Sequence, residues 1–353
     1  MLVPVNQVSP GAILSSSIFA QGRILFRKGR KLTKNDLEII NQSGLRSIRI
    51  VRINGDSPRV GIIRDETREL AAKSISSIYQ DYKNLNSRRF EEVKNLASTI
   101  VDEILASSDL KIQAHDLRTY DTYTYYHSVN VTVITTSIAR LLGFDQTELL
   151  LLASGALMHD IGKMEIPQSI LNKQTRLDAD EIELVRCHPL IGSDLLCTRT
   201  NSSPLVWAIA RQHHECLDGT GYPDHRSAEQ IHLYAKIVVI ADLWDALRSE
   251  RPYKQGWPAK KVIDFLSSPS MQLKVEPEYV ELLRSIVLPY PIESLVVLSN
   301  GMIGIVVEQN ETHPTAPVVM IVRDEYGVEC FDGEPQLINL VKESSLIITD
   351  SLD

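Results

Sequence analysis

Apolar residues recur every third or fourth position through most of the stretch 64–285. That spacing gathers side chains on one face of an α-helix. The segment 64–113 keeps the period and contains no proline, which predicts one long helix or two. Segments 127–142, 146–158, 178–187, 203–214, 228–250 and 258–268 repeat it. The ends of the chain read differently. In residues 1–60, Asn6 to Gly11 reads as a turn, and Gln21-Gly22 separates SIF from RILF as in a hairpin. Thr33 is an N-cap candidate for the helical run NDLEIINQ, Gly44 is its stop, and SIRIVRI alternates as a strand does. After Pro289 and Pro291 the runs SLVVLS, GMIGIVVEQ, APVVMIVRD and GVECFD are β-rich, and Asn300-Gly301 between two of them is a hairpin signal. The pattern therefore predicts a mainly α protein. An all-helical core carries a small N-terminal α+β module and a small C-terminal β-rich module. The expected divisions are 1–63, a helical linker 64–114, the core 115–285, and 286–353.

Composition narrows the options. The chain has 353 residues, 43% of them hydrophobic and 23% charged, which suits a globular protein with a sizeable core. A net charge of −8 leaves no basic footprint for DNA or RNA. A small anionic ligand stays open, because metal ions and a few local cations can reverse the field inside a pocket. The four cysteines, Cys187, Cys197, Cys216 and Cys330, form no CxxC pair. They read as free thiols in a reducing cytosol, with Cys187 and Cys216 expected to be buried or half-buried. No apolar run reaches the roughly 18 residues of a membrane span. The opening MLVPVNQVSP lacks a basic region followed by an apolar stretch, so a cytoplasmic protein is expected. The 64–114 segment could pair with a second copy as a homodimer or pack on its own core.

Chemistry enters with the histidines. Of nine, six fall in the helical core: His127, His159, His188, His213, His214 and His232. His159-Asp160 opens HDIGKMEIP, His188 precedes Pro189, His213-His214-Glu215 precedes DGTGYP, and Asp242 sits in VVIADLWDAL. Imidazole and carboxylate donors without thiolate suit Fe, Mn, Zn or Co, and argue against a structural zinc knot. Neighbouring helical residues diverge by about 100°. An adjacent His-Asp pair can therefore serve one site only if both converge at a helix end, or if two metals lie on either side. One carboxylate can bridge two metals, which together activate a water and clamp a phosphate.

The ordered series YTYYHSVNV (123–131), HDIGKMEIP (159–167), HPLIGSDLL (188–196), HHECLDGTGYP (213–223) and ADLWDALRSERPYK (241–254) resembles the HD-GYP subgroup of the HD-domain metal-dependent phosphohydrolases. The likeness covers roughly 115–270, and its motifs are highly specific. It implies an HD-domain helical core and hydrolysis of cyclic di-GMP to pGpG, with a second round reaching GMP. It implies two divalent ions, Fe or Mn, which Zn, Ni, Co or Mg can replace. By resemblance His127, His159, Asp160 and Asp242 hold one ion, and Asp160 bridges to a second held by His188, His213 and His214. A hydroxide between the ions is the implied nucleophile. Lys163 then contacts a phosphate oxygen, the nucleophile or the leaving group. In the DGTGYP loop, Gly219 and Gly221 permit positive φ. Gly221 and Tyr222 face the substrate, or Tyr222 serves as a packing aromatic. Arg251 and Lys254 of RPYK match phosphate-contacting positions.

One departure bears on metal count. Some members carry a Glu four residues before the first ligand histidine and use it for a third metal. Here that position is Tyr123, and Asp121 lies on a different helical face, so two metals are expected. Three other readings compete with the phosphodiesterase: a cyclic di-GMP sensor that keeps its ligands without turnover, a hydrolase of another nucleotide, and a purely structural metal site, which would not need Lys163 or the phosphate-facing cations.

Overall fold

A computed structural model describes residues 2–4, 8, 12, 14, 18–20, 23–26, 30, 32–43, 45, 47–49, 62–108, 110–112, 123–173, 175–249, 256–292, 294–310, 313–328 and 336–351. Two compact units divide the chain: Met1–Pro58 together with Pro289–Asp353, and Arg59–Leu288.

In the N-terminal module, β1 (Leu2–Pro4) pairs antiparallel with β4 (Ser47–Arg49), and β2 (Ile18–Ala20) with β3 (Arg23–Phe26). The second pair is the hairpin expected around Gln21-Gly22. Between them, α1 (Lys34–Gln42) starts in a capping box: Thr33 accepts from the Asp36 N–H, and Asp36 accepts from the Thr33 N–H. Arg30 grips the same carboxylate with two nitrogens, at 2.9 and 3.1 Å. The fork of Arg30 and the Thr33 amide lower the Asp36 carboxyl to about 2. Leu14, Ile18, Phe26, Leu32, Ile40 and Ile48 form the module's core. Gly44 and most of the Asn6–Gly11 turn lie outside the described residues.

The C-terminal module is an antiparallel sheet of β5 (Leu295–Leu298), β6 (Ile303–Glu308), β7 (Val318–Arg323), β8 (Leu337–Asn339) and β9 (Ile348–Ser351), in the order β8-β7-β6-β5-β9. Val296 and Leu298 alternate inward to meet Val306, Val319, Ile321 and Ile348. Asn300-Gly301 makes the β5–β6 turn, with Gly301 at φ 86°. Most of the expected strand GVECFD lies outside the described residues.

The helical unit contains α2 (Asp65–Gln80), α3 (Ser87–Ala106), α4 (Tyr123–Leu141), α5 (Gln146–Met158), α6 (Gln168–Leu171), α7 (Ala179–Arg186), α8 (His188–Arg199), α9 (Pro204–Gln212), α10 (Leu233–Arg248), α11 (Ala259–Leu266), α12 (Pro269–Gln272) and α13 (Pro277–Ile286). The stretch 64–113 is two helices. A tight turn at Tyr82–Asn84 separates them, and the Asn86 side chain starts α3 by accepting from the Arg88 and Arg89 N–H groups. Their apolar stripes, including Ile75, Ile78, Phe90, Ile100 and Ile104, are buried in the unit's own core. The sequence pattern did not single out α8 or α13. Both carry proline in the first turn, which reads as a breaker but suits the start of a helix, where the missing N–H has no partner anyway.

At the centre is α4, which packs against α2, α3, α5, α10 and α13. Val129, Val131, Val133, Ile134 and Ile138 are buried, and so are Ser128, Asn130, Thr132, Thr135, Thr136 and Ser137. Hydroxyls on such a surrounded helix can bond back to the preceding turn: Thr132 donates to the Ser128 carbonyl and Ser137 to that of Val133, each at 2.7 Å. The site below is built on this rod. The substitution Ile100→Ala empties a fully buried position on α3. It is expected to destabilise the helical unit by about 2–5 kcal/mol, read as a lower urea midpoint with the β-rich signal unchanged.

Candidate metal centre

The histidines and carboxylates of the sequence series converge, and most do so at helix ends. His127 rises from the first turns of α4 and Asp242 from α10. His159 closes α5, and Asp160 opens the short 3-10 turn Ile161–Glu165. This junction lets an adjacent His-Asp pair point into one site. His188 opens α8, and His213 closes α9 with His214 immediately after. All but His214 are buried, and His214 is half-buried.

A shared local device orients three of the rings. Nδ1 of His159 lies 2.7 Å from the Ala156 carbonyl, Nδ1 of His188 lies 2.8 Å from that of Val185, and Nδ1 of His213 lies 2.8 Å from that of Ala210. A carbonyl only accepts, so each Nδ1 carries the proton and each Nε2 presents a lone pair. His188 Nε2 and His213 Nε2 then face each other at 3.1 Å, with Asp160 Oδ1 at 3.3 and 3.6 Å. His127 uses a carboxylate in place of a carbonyl: its Nδ1 is 2.6 Å from Asp245 Oδ2. Its Nε2 points at Asp242 Oδ1, 3.0 Å away, and lies 3.8 Å from Asp160 Oδ2. His159 Nε2 is 3.5 Å from Asp160 Oδ2, and His214 Nδ1 is 3.8 Å from Asp242 Oδ2.

Two candidate ligand sets follow, each with its donor atoms within 4.8 Å of one another: Asp160, His188, His213 and His214, and His127, His159 and Asp242. The two oxygens of Asp160 look toward different sets. Donors about 2.1 Å from one ion stand about 3 Å apart when adjacent, close to the spacings seen. His159 Nε2 and Asp160 Oδ1 are buried without a hydrogen-bond partner. Buried acceptors facing one another are costly unless a cation lies among them, so these residues fit a metal. Burial lowers His213 to about 4, leaving a neutral imidazole at pH 7. Burial alone would raise Asp160, but its neighbours, the Lys163 ammonium foremost, outweigh it and hold the carboxyl well below the usual range.

The surrounding groups fall into place around this cluster. Lys163 Nζ reaches Asp160 Oδ2 at 2.5 Å from the 3-10 turn. Of the two loop glycines that permit positive φ, only Gly219 adopts it, at 74°. Gly221 is needed for a different reason: a Cβ there would sit 2.3 Å from the Cys216 nitrogen and 2.4 Å from the Glu215 Cα. The Tyr222 ring stacks on His214 at 4.8 Å between centroids, and the Arg186 guanidinium lies 5.5 Å from its centre. Burial, with Asp242 and Asp160 nearby, raises the Tyr222 phenol. His232 stays out of the cluster and caps α10 by accepting from the Tyr234 N–H. Cys187 is exposed, contrary to expectation, because it lies at the junction of α7 and α8, and no residue of α7 is buried; Cys216 is half-buried. Arg251, Lys254, Asp121 and Cys330 lie outside the described residues. Tyr123 begins α4 four residues before His127.

Sequence reasoning missed two supports. Asp245, three residues after Asp242 on α10, orients His127; its i+3 spacing from a ligand was the available signal. Glu215 is buried in the HHE run and accepts from the backbone N–H groups of Asp224 and Arg226 at 2.7 and 2.9 Å, pinning the glycine-rich loop. Arg211 reinforces the loop with a two-pronged pair to Asp224.

Comparison with known proteins gives concordant results. Residues 91–278 match the HD domain family, and residues 295–353 match a KOW domain associated with HD domains. The cyclic di-GMP phosphodiesterase PA4108 of Pseudomonas aeruginosa is 33% identical over 274 residues, 76% of this chain and 66% of that protein. The 3'3'-cGAMP-specific phosphodiesterase 3 of Vibrio cholerae is 36% identical over 156 residues, 44% of this chain and 34% of that protein. The chain thus spans about two thirds and one third of these relatives. The structure of Bd1817, an HDG"Y"P protein from Bdellovibrio bacteriovorus, superimposes with a TM-score of 0.53 at 18% identity, covering 81% of this chain and 98% of that one, which speaks to the fold.

Glu215→Gln replaces one of the two accepting oxygens with a donor and leaves a half-buried loop N–H unpaired, at a cost of about 1 kcal/mol. The expected outcome is faster hydrogen exchange at Asp224 and Arg226, with protection of the α4 amides unchanged.

Proposed function

The chain belongs to the HD domain family, and from that premise we propose that it is a metal-dependent phosphodiesterase that opens cyclic di-GMP. The observation carrying this reading is the meeting of Nε2 lone pairs from His188 and His213 with Asp160 Oδ1 in a buried site. Three acceptors at such distances are a stable arrangement around a cation. We assign His127, His159, Asp160 and Asp242 to one ion, and Asp160, His188, His213 and His214 to a second. Fe or Mn suits this donor set; Zn, Ni, Co or Mg can enter by substitution.

When bound, the ions supply Lewis acidity to a phosphoryl oxygen and make water a nucleophile at neutral pH. The chain's own groups do the rest. Asp160, with its two oxygens turned toward different ligand sets, fixes the separation of the two halves of the site. Lys163 is one quarter exposed, so its ammonium can reach a phosphate oxygen or the leaving oxygen while staying near Asp160. His214 orients Tyr222, which with Gly221 forms the wall against which the substrate lies. Arg251 and Lys254 supply phosphate contacts by their position in RPYK. In the reaction a water oxygen bonds to phosphorus, the bond from phosphorus to the ribose 3' oxygen breaks, and that oxygen takes a proton. The product is linear pGpG, and a second cleavage gives GMP. The free thiols Cys187, Cys197 and Cys216 suit a reducing cytoplasm.

Protein purified without oxygen and loaded with Mn or Fe is expected to hold two ions per chain and to convert cyclic di-GMP to pGpG, followed by chromatography beside 3'3'-cGAMP and nucleoside monophosphates. Tight binding of cyclic di-GMP by the loaded protein without cleavage establishes the sensor reading instead. Preferential cleavage of another nucleotide moves the substrate and keeps the chemistry. Lys163→Met is expected to lower kcat about 10²–10³-fold with metal content unchanged.

A further inference from the structure

A buried polar chain runs from α2 to the candidate ligand His127. Arg68 Nη1 donates to Asn130 Oδ1 at 2.7 Å, Asn130 Nδ2 donates to Asp245 Oδ1 at 3.0 Å, and Asp245 Oδ2 meets His127 Nδ1 at 2.6 Å. Each member is less than 8% exposed. The members come from α2, α4 and α10, so the chain crosses three elements. We propose that Arg68 is a positioning residue: acting through Asn130 and Asp245, it sets the orientation and donor strength of His127 toward the ion held by His127, His159, Asp160 and Asp242. This rests on the metal-centre reading given above.

The physical case begins at Asp245. Its carboxylate is fully buried, and a buried charge needs compensation beyond one imidazole N–H. Asn130 supplies an N–H to the second oxygen. An amide can donate at one end while accepting at the other, and Arg68 fills the accepting end with a charge-assisted bond. The amide orientation is thereby decided: with Arg68 on Oδ1, Asn130 presents its NH₂ to Asp245. Removing Arg68 frees the amide to rotate, leaves Asp245 under-compensated and loosens the carboxylate that holds the His127 ring. Three of the other four rings lean on backbone carbonyls, at Ala156, Val185 and Ala210, and the fourth, His214, stacks on Tyr222, so none of them rests on this chain. The dependence is therefore specific to one half of the centre. The first turn of α2 is itself anchored, with Thr67 donating to Glu103 at 2.6 Å and the Arg64 N–H donating to the same carboxylate at 2.8 Å. Arg68 thus stands on a fixed base.

The test measures Mn binding to the full chain by titration calorimetry, with thermal unfolding as a control. Arg68→Met and Asn130→Leu are each expected to weaken one of the two Mn sites about 10- to 100-fold while leaving the other within about twofold, as loss of a ligand's outer support does. Arg68→Lys, which keeps the charge but loses the fork, is expected to fall between. Nitrogen-15 spectra of labelled histidine should show the His127 Nδ1–H resonance shifted in both variants and those of His188 and His213 in place. Equal weakening of both sites, no weakening of either, or variants that fail to unfold cooperatively would each overturn the proposal and give Arg68 a purely structural role. A wild-type chain that binds no Mn, Fe or Zn would sink the metal-centre reading itself. A wild-type chain with two sites and variants that match it would sink only the role of Arg68.

Discussion

Buried acceptors turned toward one another are the constraint around which this protein is organised. His188 and His213 each commit a ring N–H to a backbone carbonyl, so the nitrogens that meet at 3.1 Å are both lone pairs. Asp160 turns Oδ1 to the same point, and that oxygen accepts no hydrogen bond, while Lys163 reaches Oδ2. In a hydrophobic interior this arrangement is unfavourable without a cation, and the surrounding structure must hold it against its tendency to relax. The fold reads as the apparatus that does so. Helix α4 is packed on every side, α5 and α9 end where their histidines are needed, and α8 begins at His188.

Helix termini explain why so few residues suffice. The last carbonyls of a helix have no intrahelical partner. A histidine placed three residues beyond such a carbonyl satisfies it and is oriented by it in one contact. His159 and His213 use the ends of α5 and α9 in this way, and His188 uses the last turn of α7. His127 lies near the start of its helix and has no such carbonyl to use. It depends on Asp245, and through Asp245 on Asn130 and Arg68. His127 thus differs from His159, its partner in the same ligand set: one is supported across three helices and the other within its own last turn.

The glycine-rich loop shows how close approach and charge act together. Glu215 lies directly after the His213-His214 pair and binds two amides of the loop that follows. Gly221 allows that loop to pass over the Glu215 backbone where a side chain would collide. Tyr222 then lies flat on His214. The loop and the ligands are in this sense one piece, because the residue that pins the loop is the neighbour of the residues proposed to hold the metal.

Much of this was legible in the chain itself. Helical spacing located α1, α4, α5, α7, α9, α10 and α11, the cap candidate Thr33 marked a true helix start, and Asn300-Gly301 marked a true hairpin. The motif series alone names His127, His159, Asp160, His188, His213, His214 and Asp242, because residue type and order survive in one dimension. Helices α8 and α13, each with proline in its first turn, were not singled out by the spacing. At Gly221 the sequence suggested conformational freedom, and the structure shows that space is what the position requires. Asp245 offered only its i+3 spacing from Asp242, and Asn130 and Arg68 offered nothing. Their roles depend on which helices lie side by side, and hydrogen bonds between residues 62 and 115 positions apart leave no local period. Residue chemistry set what the site can bind; packing alone decided which groups support it, since burial and distance exist only once the helices have met.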